Sequence, residues 1–246
     1  MRNSKKNLYY FFLILCLIGL FLLIVYLSFP HDQPTGGMSG DASVLAEEID
    51  LDSLPEYSGQ ATIEINDNVP DFEEYEIEEA QTSYESYSEL DALGRCGKAE
   101  ASVSLDTMPT QKRTSISSVK PSGWENEKYD FVSGEWVYNR CHLIGFQLTG
   151  ENANSQNLIT GTRYMNVEGM LPYEDEVADY VKSTGQHVLY EVTPIYEDSD
   201  DLVASGVHMQ ACSVEDDCAS LAFNVYAYNV QPGIEIDYST GENWEE

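Results

Sequence analysis

Of the four histidines in the chain, His142 keeps company that could do chemistry. It lies in the run Tyr138-Asn139-Arg140-Cys141-His142-Leu143-Ile144-Gly145, so a guanidinium two residues upstream puts a fixed cation beside a titratable imidazole. With an unperturbed pKa of about 6.5, an imidazole can take up a proton near neutral pH. His31 belongs to a Pro- and acid-rich stretch, and His187 and His208 fall in strand-like runs where structural or surface roles are the simpler reading. Arg-x-His alone is common. It gains weight from a second group downstream: Asn157, Arg163 and Asn166 within NLITGTRYMN, followed by Glu174. Arg163 precedes Asn166 by three positions, which on a helix would place both on one face.

Short alternating runs around these residues read as strands: Ala99–Leu105, Glu135–Tyr138, His187–Tyr196, Ser205–Ser213, Leu221–Val230 and Ile234–Tyr238. Asn157–Val167 reads as a helix or a system of helical turns. Tyr173–Lys182 reads as a helix, with Val177 and Tyr180–Val181 on one side and Pro172 where a first turn tolerates it. Strands, a loop-and-helix centre, then strands again give an α+β class with an antiparallel sheet. The acidic stretch Asp71–Glu79 reads as a solvated helix face or a disordered segment. There is no Gly-rich phosphate loop, no Gly-x-Ser-x-Gly and no His-Glu-x-x-His, and Glu197–Asp201 lacks calcium-loop spacing.

The formal charge of −31 excludes a protein that coats nucleic acid through general basicity. All 12 Lys and Arg lie at or before Lys182. A polyanion-binding surface must therefore be drawn from Arg95, Lys98, Lys112, Arg113, Lys120, Lys128, Arg140 and Arg163; plain solubility accounts for the acidic excess equally well. Leu8–Leu27 is an uncharged apolar run, long enough at about 1.5 Å per residue to cross a bilayer core of roughly 30 Å. Arg2, Lys5 and Lys6 precede it, which orients the N-terminus to the cytoplasm. The expected organisation is a basic tip and transmembrane anchor over 1–28, a flexible acidic stalk over 29–54 and a globular part over 55–246. That places the globular part outside a cell membrane crossed once, or secretes it if the N-terminal segment is cleaved. Cys16 lies in the apolar run. Cys212 and Cys218 could close a hairpin, which leaves Cys96 with Cys141 as a second disulfide or as buried thiols.

The stretch NRCHLIGFQLTGENANSQNLITGTRYMN resembles the DNA/RNA non-specific endonucleases of the ββα-metal type, in particular the exported and DNA-entry nucleases of Gram-positive bacteria. SELDALGRCG, MPTQKR, VKPSGW and NVQPGIEIDY extend the likeness from about Pro55 to Asp237. The resemblance implies a ββα-metal core with a central antiparallel sheet flanked by helices. It also implies an endonuclease that cuts DNA, and RNA as a second substrate, with little sequence preference. The implied cofactor is Mg²⁺, with Mn²⁺ as a substitute, and no protein partner is implied. Carried over by position, His142 is the general base, Asn166 the metal ligand and Arg140 the motif arginine. Asn157 matches an active-site Asn of the DNA-entry branch, and Glu174 a carboxylate that helps hold metal-bound water.

Arg163 is then expected to clamp phosphate, with Arg95, Lys112 and Arg113 as backbone contacts, which would carry no sequence information. Two positions depart from the family pattern: Asn139 stands where the family has Asp, and Cys141 where it has Gly or Ser. The competing expectation is a non-catalytic surface module that uses the same fold to bind nucleic acid or a cell-wall partner.

Overall fold

The computed structural model describes residues 54–246. The expected transmembrane anchor and nearly all of the expected stalk lie outside the described residues. Among the described residues no helix is long and apolar enough to cross a membrane.

The frame is a six-stranded sheet in the order β1 (Thr62–Glu64), β8 (Ala222–Tyr228), β7 (Gly206–Ser213), β6 (Val188–Ile195), β3 (Ala99–Val103), β2 (Tyr84–Tyr87). Every neighbouring pair is antiparallel. Side chains alternate across a pleated strand, so the register sorts them into two faces. Tyr190, Ala211 and Phe223 line up on one face, and Glu191, Gln210 and Asn224 on the other. The apolar face forms the main core with Met165, Met170, Val177, Val181 and Ile159. The polar face is covered by the segment before β2: Gln210 accepts from the Asp71 backbone N–H at 2.9 Å, and Asn224 donates to the Val69 carbonyl at 2.8 Å. The acidic stretch does form a short helix on that side, α1 (Glu74–Glu79), started by a reciprocal Glu73–Glu76 cap.

Against the apolar face lies a hairpin of β4 (Tyr138–His142) and β5 (Leu158–Thr162), with His142 opposite Leu158. A one-turn helix, α2 (Phe146–Thr149), follows β4. A π-helical turn, Met165–Met170, follows β5 and runs directly into α3 (Leu171–Thr184), which has Pro in its first turn. The helix buries Val177, Ala178 and Val181, and each fully buried valine contributes about 1.5–3 kcal/mol. Asn229, itself fully buried, docks the hairpin: it accepts from the Thr162 N–H at 2.7 Å and donates to the Thr160 and Ala204 carbonyls. A small ribbon, β9 (Ile234–Ile236) with β10 (Asn243–Glu245), closes the chain.

Three expectations are corrected. The strand placed at Glu135–Tyr138 begins where that run ends, at Tyr138, because the residues before it are taken up by a hydrogen-bonded turn. The helix expected over Asn157–Val167 is instead a 3-10 turn, a strand and the π-helical turn. The run Leu158-Ile159-Thr160, with β-branched Ile159 and Thr160, pairs with β4, and only the residues after Thr162 coil. Cys212 and Cys218 are bonded across the β7–β8 turn, but Cys96 and Cys141 are free buried thiols. The Cys96 thiol is turned to the carbonyls of Ser155 and Leu158, and that of Cys141 to Asn166.

Candidate active site

A cleft with a volume of about 1110 Å³ opens over the hairpin and the π-helical turn. Its charged lining is Arg113, Arg140, Arg163 and Glu174. Three cations against one carboxylate make this a positively charged hollow in a chain of net charge −31. Among the described residues none of the three arginines pairs with a carboxylate.

His142 ends β4 on the cleft wall and is 6% exposed. Its Nε2 lies 2.9 Å from the backbone carbonyl of Asn152. A carbonyl only accepts, so Nε2 carries the hydrogen and Nδ1 keeps its lone pair. Arg113 reaches that nitrogen, with a guanidinium N–H donor 3.4 Å from Nδ1. Burial, reinforced by the Arg113 cation and opposed by the Asn152 contact, pulls the imidazole down to a pKa of about 4. At neutral pH the ring is therefore an uncharged base. The loop that holds it is tied to the arm carrying Arg113, because Asn152 Nδ2 donates to Thr114 Oγ1 at 2.6 Å.

Arg140 projects from the same side of β4. Its guanidinium lies 4.2 Å from the Trp124 ring centroid, and it donates to the carbonyls of Val119 and Ser117. The segment behind it therefore fixes its direction without neutralising it. Arg163, at the turn out of β5, has its Nε buried with no partner. Asn139 Nδ2 is in the same condition, and both residues line the cleft. A buried donor without a partner costs about 1–3 kcal/mol, and two such donors belong to residues that border this one cleft.

Asn166 stands on the π-helical turn, a distortion that recurs at functional positions. Its Oδ1 accepts from the Cys141 thiol at 3.0 Å. Opposite, Gly161 makes room for that thiol: a Cβ there would lie 2.6 Å from the Cys141 Cβ. Glu174, in the first turn of α3, reaches back under the cleft toward Gly145, where a Cβ would fall 2.6 Å from its carboxyl carbon. Burial and the neighbouring Asp175 charge raise the Glu174 carboxyl to about 8, against a lowering by Arg113. The donor set for a cation is thus sparse and made of oxygen: one amide and one carboxylate that makes no ion pair among the described residues. A hard divalent ion that keeps most of its waters fits such a set. Among the described residues no three His, Cys, Asp or Glu side chains gather to enclose a metal.

The remaining expected residues lie elsewhere. Asn157 is fully buried behind the site; it accepts from the Ile144 N–H at 2.8 Å and donates to the Ile144 carbonyl at 3.0 Å. It positions the backbone that follows His142 and does not line the cleft. Arg95 is 2% exposed and lies outside the cleft, bound to Asp91 and to the carbonyls of Ser199 and Asp201. Lys112 is exposed and does not line the cleft. Sequence reasoning missed the Asn152 carbonyl, since any residue type supplies one. It also missed Trp124 and Trp136 on the cleft wall, for which an aromatic flanking VKPSG and one just before β4 were the available signals.

Residues 68–215 match the DNA/RNA non-specific endonuclease family, and the chain belongs to it. Among solved structures it is similar to NucA from Streptococcus agalactiae with magnesium bound, at 26% identity and a TM-score of 0.68, covering 79% of this chain and 91% of that one. It is also similar to the Sda1 nuclease with a bound zinc ion, at 27% identity and a TM-score of 0.58, covering 66% of this chain and 82% of that one. The protein is a metal-dependent endonuclease that hydrolyses nucleic acid without strong sequence preference, and its cofactor is a divalent metal.

Proposed function

We propose that the cleft hydrolyses phosphodiester bonds with His142 as general base, and that Asn166 and Glu174 hold Mg²⁺, with Mn²⁺ as a substitute. The observation that carries this reading is the tautomer of His142: Asn152 takes the Nε2 hydrogen, and the Nδ1 lone pair, met by Arg113, lies in a cleft lined by three arginines that pair with no carboxylate among the described residues. Nδ1 takes a proton from water as the oxygen attacks phosphorus. Arg140 and Arg163 hold the non-bridging oxygens, whose charge grows in the transition state. Arg113, in contact with Nδ1 at 3.4 Å, is positioned to swing onto the incoming phosphate and release the base. When bound, the divalent ion supplies positive charge against the phosphate and the departing 3′ oxygen. These contacts address only the sugar-phosphate backbone, in keeping with DNA, and RNA as a second substrate, being cut at many sequences.

The Cys212–Cys218 disulfide supports an oxidising, extracytoplasmic location for the catalytic domain. The apolar run Leu8–Leu27 supports membrane anchoring of that domain.

The test is cleavage of plasmid and of RNA by the purified protein. We expect full activity with Mg²⁺, loss with EDTA, and rates about 10²–10⁴-fold lower for His142→Ala, with Asn166→Ala losing the response to Mg²⁺. Intact plasmid across Mg²⁺ and Mn²⁺, or a His142→Ala protein that cuts at the wild-type rate, would overturn the reading.

A further inference from the structure

We propose that Trp136 is a stacking platform for an unpaired nucleobase of the substrate, and that it biases the enzyme toward single-stranded or frayed nucleic acid. The inference rests on the nuclease reading of the cleft and adds a base-contacting subsite to it.

Trp136 lines the cleft yet leaves 46% of its surface in solvent. A tryptophan this exposed contributes little to the core; single exposed apolar residues are common, and what distinguishes this one is its place on the cleft wall. The turn that presents it is firmly built. Lys128 and Trp136 form a bridge, and Tyr129 N–H bonds the Glu135 carbonyl at 2.7 Å. Glu135 N–H in turn bonds the Val132 carbonyl at 2.8 Å, and Val137 N–H the Glu127 carbonyl at 3.1 Å. Gly134 and Glu135 are both left-handed, at φ +83° and +68°. For glutamate that conformation is uncommon and costs energy, so the turn holds strain immediately before the ring it projects. The Lys128 ammonium lies 4.9 Å from the ring centroid and is itself held by Glu135 at 2.6 Å. That cation–π contact fixes the ring's orientation while nearly half of its surface stays open.

Position along the strand supplies the connection to the chemistry. Trp136, Tyr138, Arg140 and His142 are alternate residues leading into and along β4, so their side chains leave from one side, and all four line the cleft. At about 3.3 Å per residue, Trp136 is at most roughly 20 Å from His142, with Arg140 between them. A nucleic-acid strand whose phosphate lies at His142 and Arg140 therefore carries a neighbouring base to Trp136 within a few nucleotides. The other two tryptophans do not compete for this role. The Trp124 ring carries Arg140 at 4.2 Å and is only partly exposed, and Trp244 is exposed but lies outside the cleft.

Inside a duplex both faces of a base are covered by its neighbours, so a protein ring can stack only on a base that is unpaired or displaced. Stacking is tolerant of base identity, which suits an enzyme without sequence preference.

The experiment compares a single-stranded oligonucleotide with its blunt duplex, cleaved by wild type, Trp136→Ala, Trp136→Phe and Trp244→Ala. Plasmid cleavage by the wild type is established first, so that an inactive protein counts against the nuclease reading and not against the platform. Trp136→Ala is expected to raise KM on the single strand about five- to tenfold, with a much smaller change on the duplex. Trp136→Phe should recover most of the loss, and Trp244→Ala should behave as wild type. On a strand with one abasic site, the wild type should cut poorly at phosphates a fixed number of nucleotides from the missing base, and Trp136→Ala should show no such gap. An equal effect of Trp136→Ala on single strand and duplex, no effect on either, or an abasic profile identical in the two proteins would overturn the proposal.

Discussion

Around Arg95 the guanidinium is held on several sides: Nε bonds Asp91 at 2.7 Å, Nη1 bonds the carbonyls of Asp201 and Ser199, and the plane stacks 4.5 Å from the Tyr196 centroid. Around Arg163 the opposite holds: Nε is buried with nothing to bond, no carboxylate is paired with it, and the side chain borders the open cleft beside His142 and Asn166. Both belong to the small set of cations from which a polyanion site had to be drawn. A buried cation already bonded to a carboxylate and to carbonyls of the fold holds the fold together and is closed to a ligand. One whose donors are unused costs stability and is tolerated where a ligand completes it.

The comparison makes opposite demands on the two residues. Arg95→Met removes a buried cation, leaves Asp91 held only by the backbone N–H groups of Leu93 and Arg95, and strips two carbonyls of this donor, which costs about 2–4 kcal/mol. At roughly 2–4 °C per kcal/mol for a domain of this size, Tm should fall by about 4–16 °C. Turnover per folded molecule should stay at the wild-type value. Lost turnover at an unchanged Tm would place Arg95 in the substrate path after all. Arg163→Met should do the reverse. Loss of a donor to the developing charge is expected to lower kcat/KM by about 10²–10³-fold, while Tm holds or rises slightly because an orphaned buried N–H is removed. Thermal melts of both variants beside initial rates on plasmid decide between the two outcomes.

The grouping of the candidate residues was more legible in the sequence than the positions of their supports. His142, Arg140, Asn166 and Glu174 were singled out from their types and order because the family motif runs through one continuous stretch, and all four line one cleft. The alternation of β6, β7 and β8 was legible as well, since period two marks a pleated strand whichever face is buried. Asn157 lies off the cleft wall, and nothing in spacing distinguishes an amide that meets substrate from one that clamps Ile144. The hairpin strand after it was misread as helical, because Leu158–Thr162 becomes a strand only by pairing with β4, a contact that local periodicity cannot register. Arg95 and Arg113 looked alike in sequence, and only the tertiary environment separated a buried clamp from the cation beside His142.

Glu174 extends the comparison to the acidic side of the cleft. Its folded pKa of about 8 is above its ordinary value, so the folded state holds the proton longer than the unfolded chain does. Its contribution to stability is therefore complete at low pH and is lost as pH rises from the ordinary carboxylate range through 8. The metal-free wild type should lose Tm across that window, and Glu174→Gln should lose less. If the variant is relieved of even about 1 kcal/mol at pH 8, its Tm will exceed the wild type's by roughly 2–4 °C. Mg²⁺ should raise Tm in the wild type by mass action and much less in the variant. A metal-free Glu174→Gln protein that melts below the wild type at pH 8 would show that the carboxylate is already compensated.

The smallest expected effect concerns Arg113, which is intermediate between the two arginines of the opening comparison: its hydrogen bond among the described residues goes to His142, the proposed catalytic base. His142 titrates at about 4, chiefly because it is buried and secondarily because Arg113 faces Nδ1. The acid limb of kcat/KM reports the free enzyme, so in the wild type it should lie near pH 4, with the base competent throughout the neutral range. In Arg113→Ala one cause of the depression is gone and protonation becomes easier, so the limb moves upward. It should stop short of the ordinary imidazole value, because burial is the larger cause and remains. A pH profile of kcat/KM from 3.5 to 8 on plasmid reads the shift directly. A limb that stays in place would mean that the guanidinium does not act on the imidazole and that Arg113 serves only to attract substrate, whereas a limb at the ordinary value would mean that removing the arm also lets water into the His142 pocket.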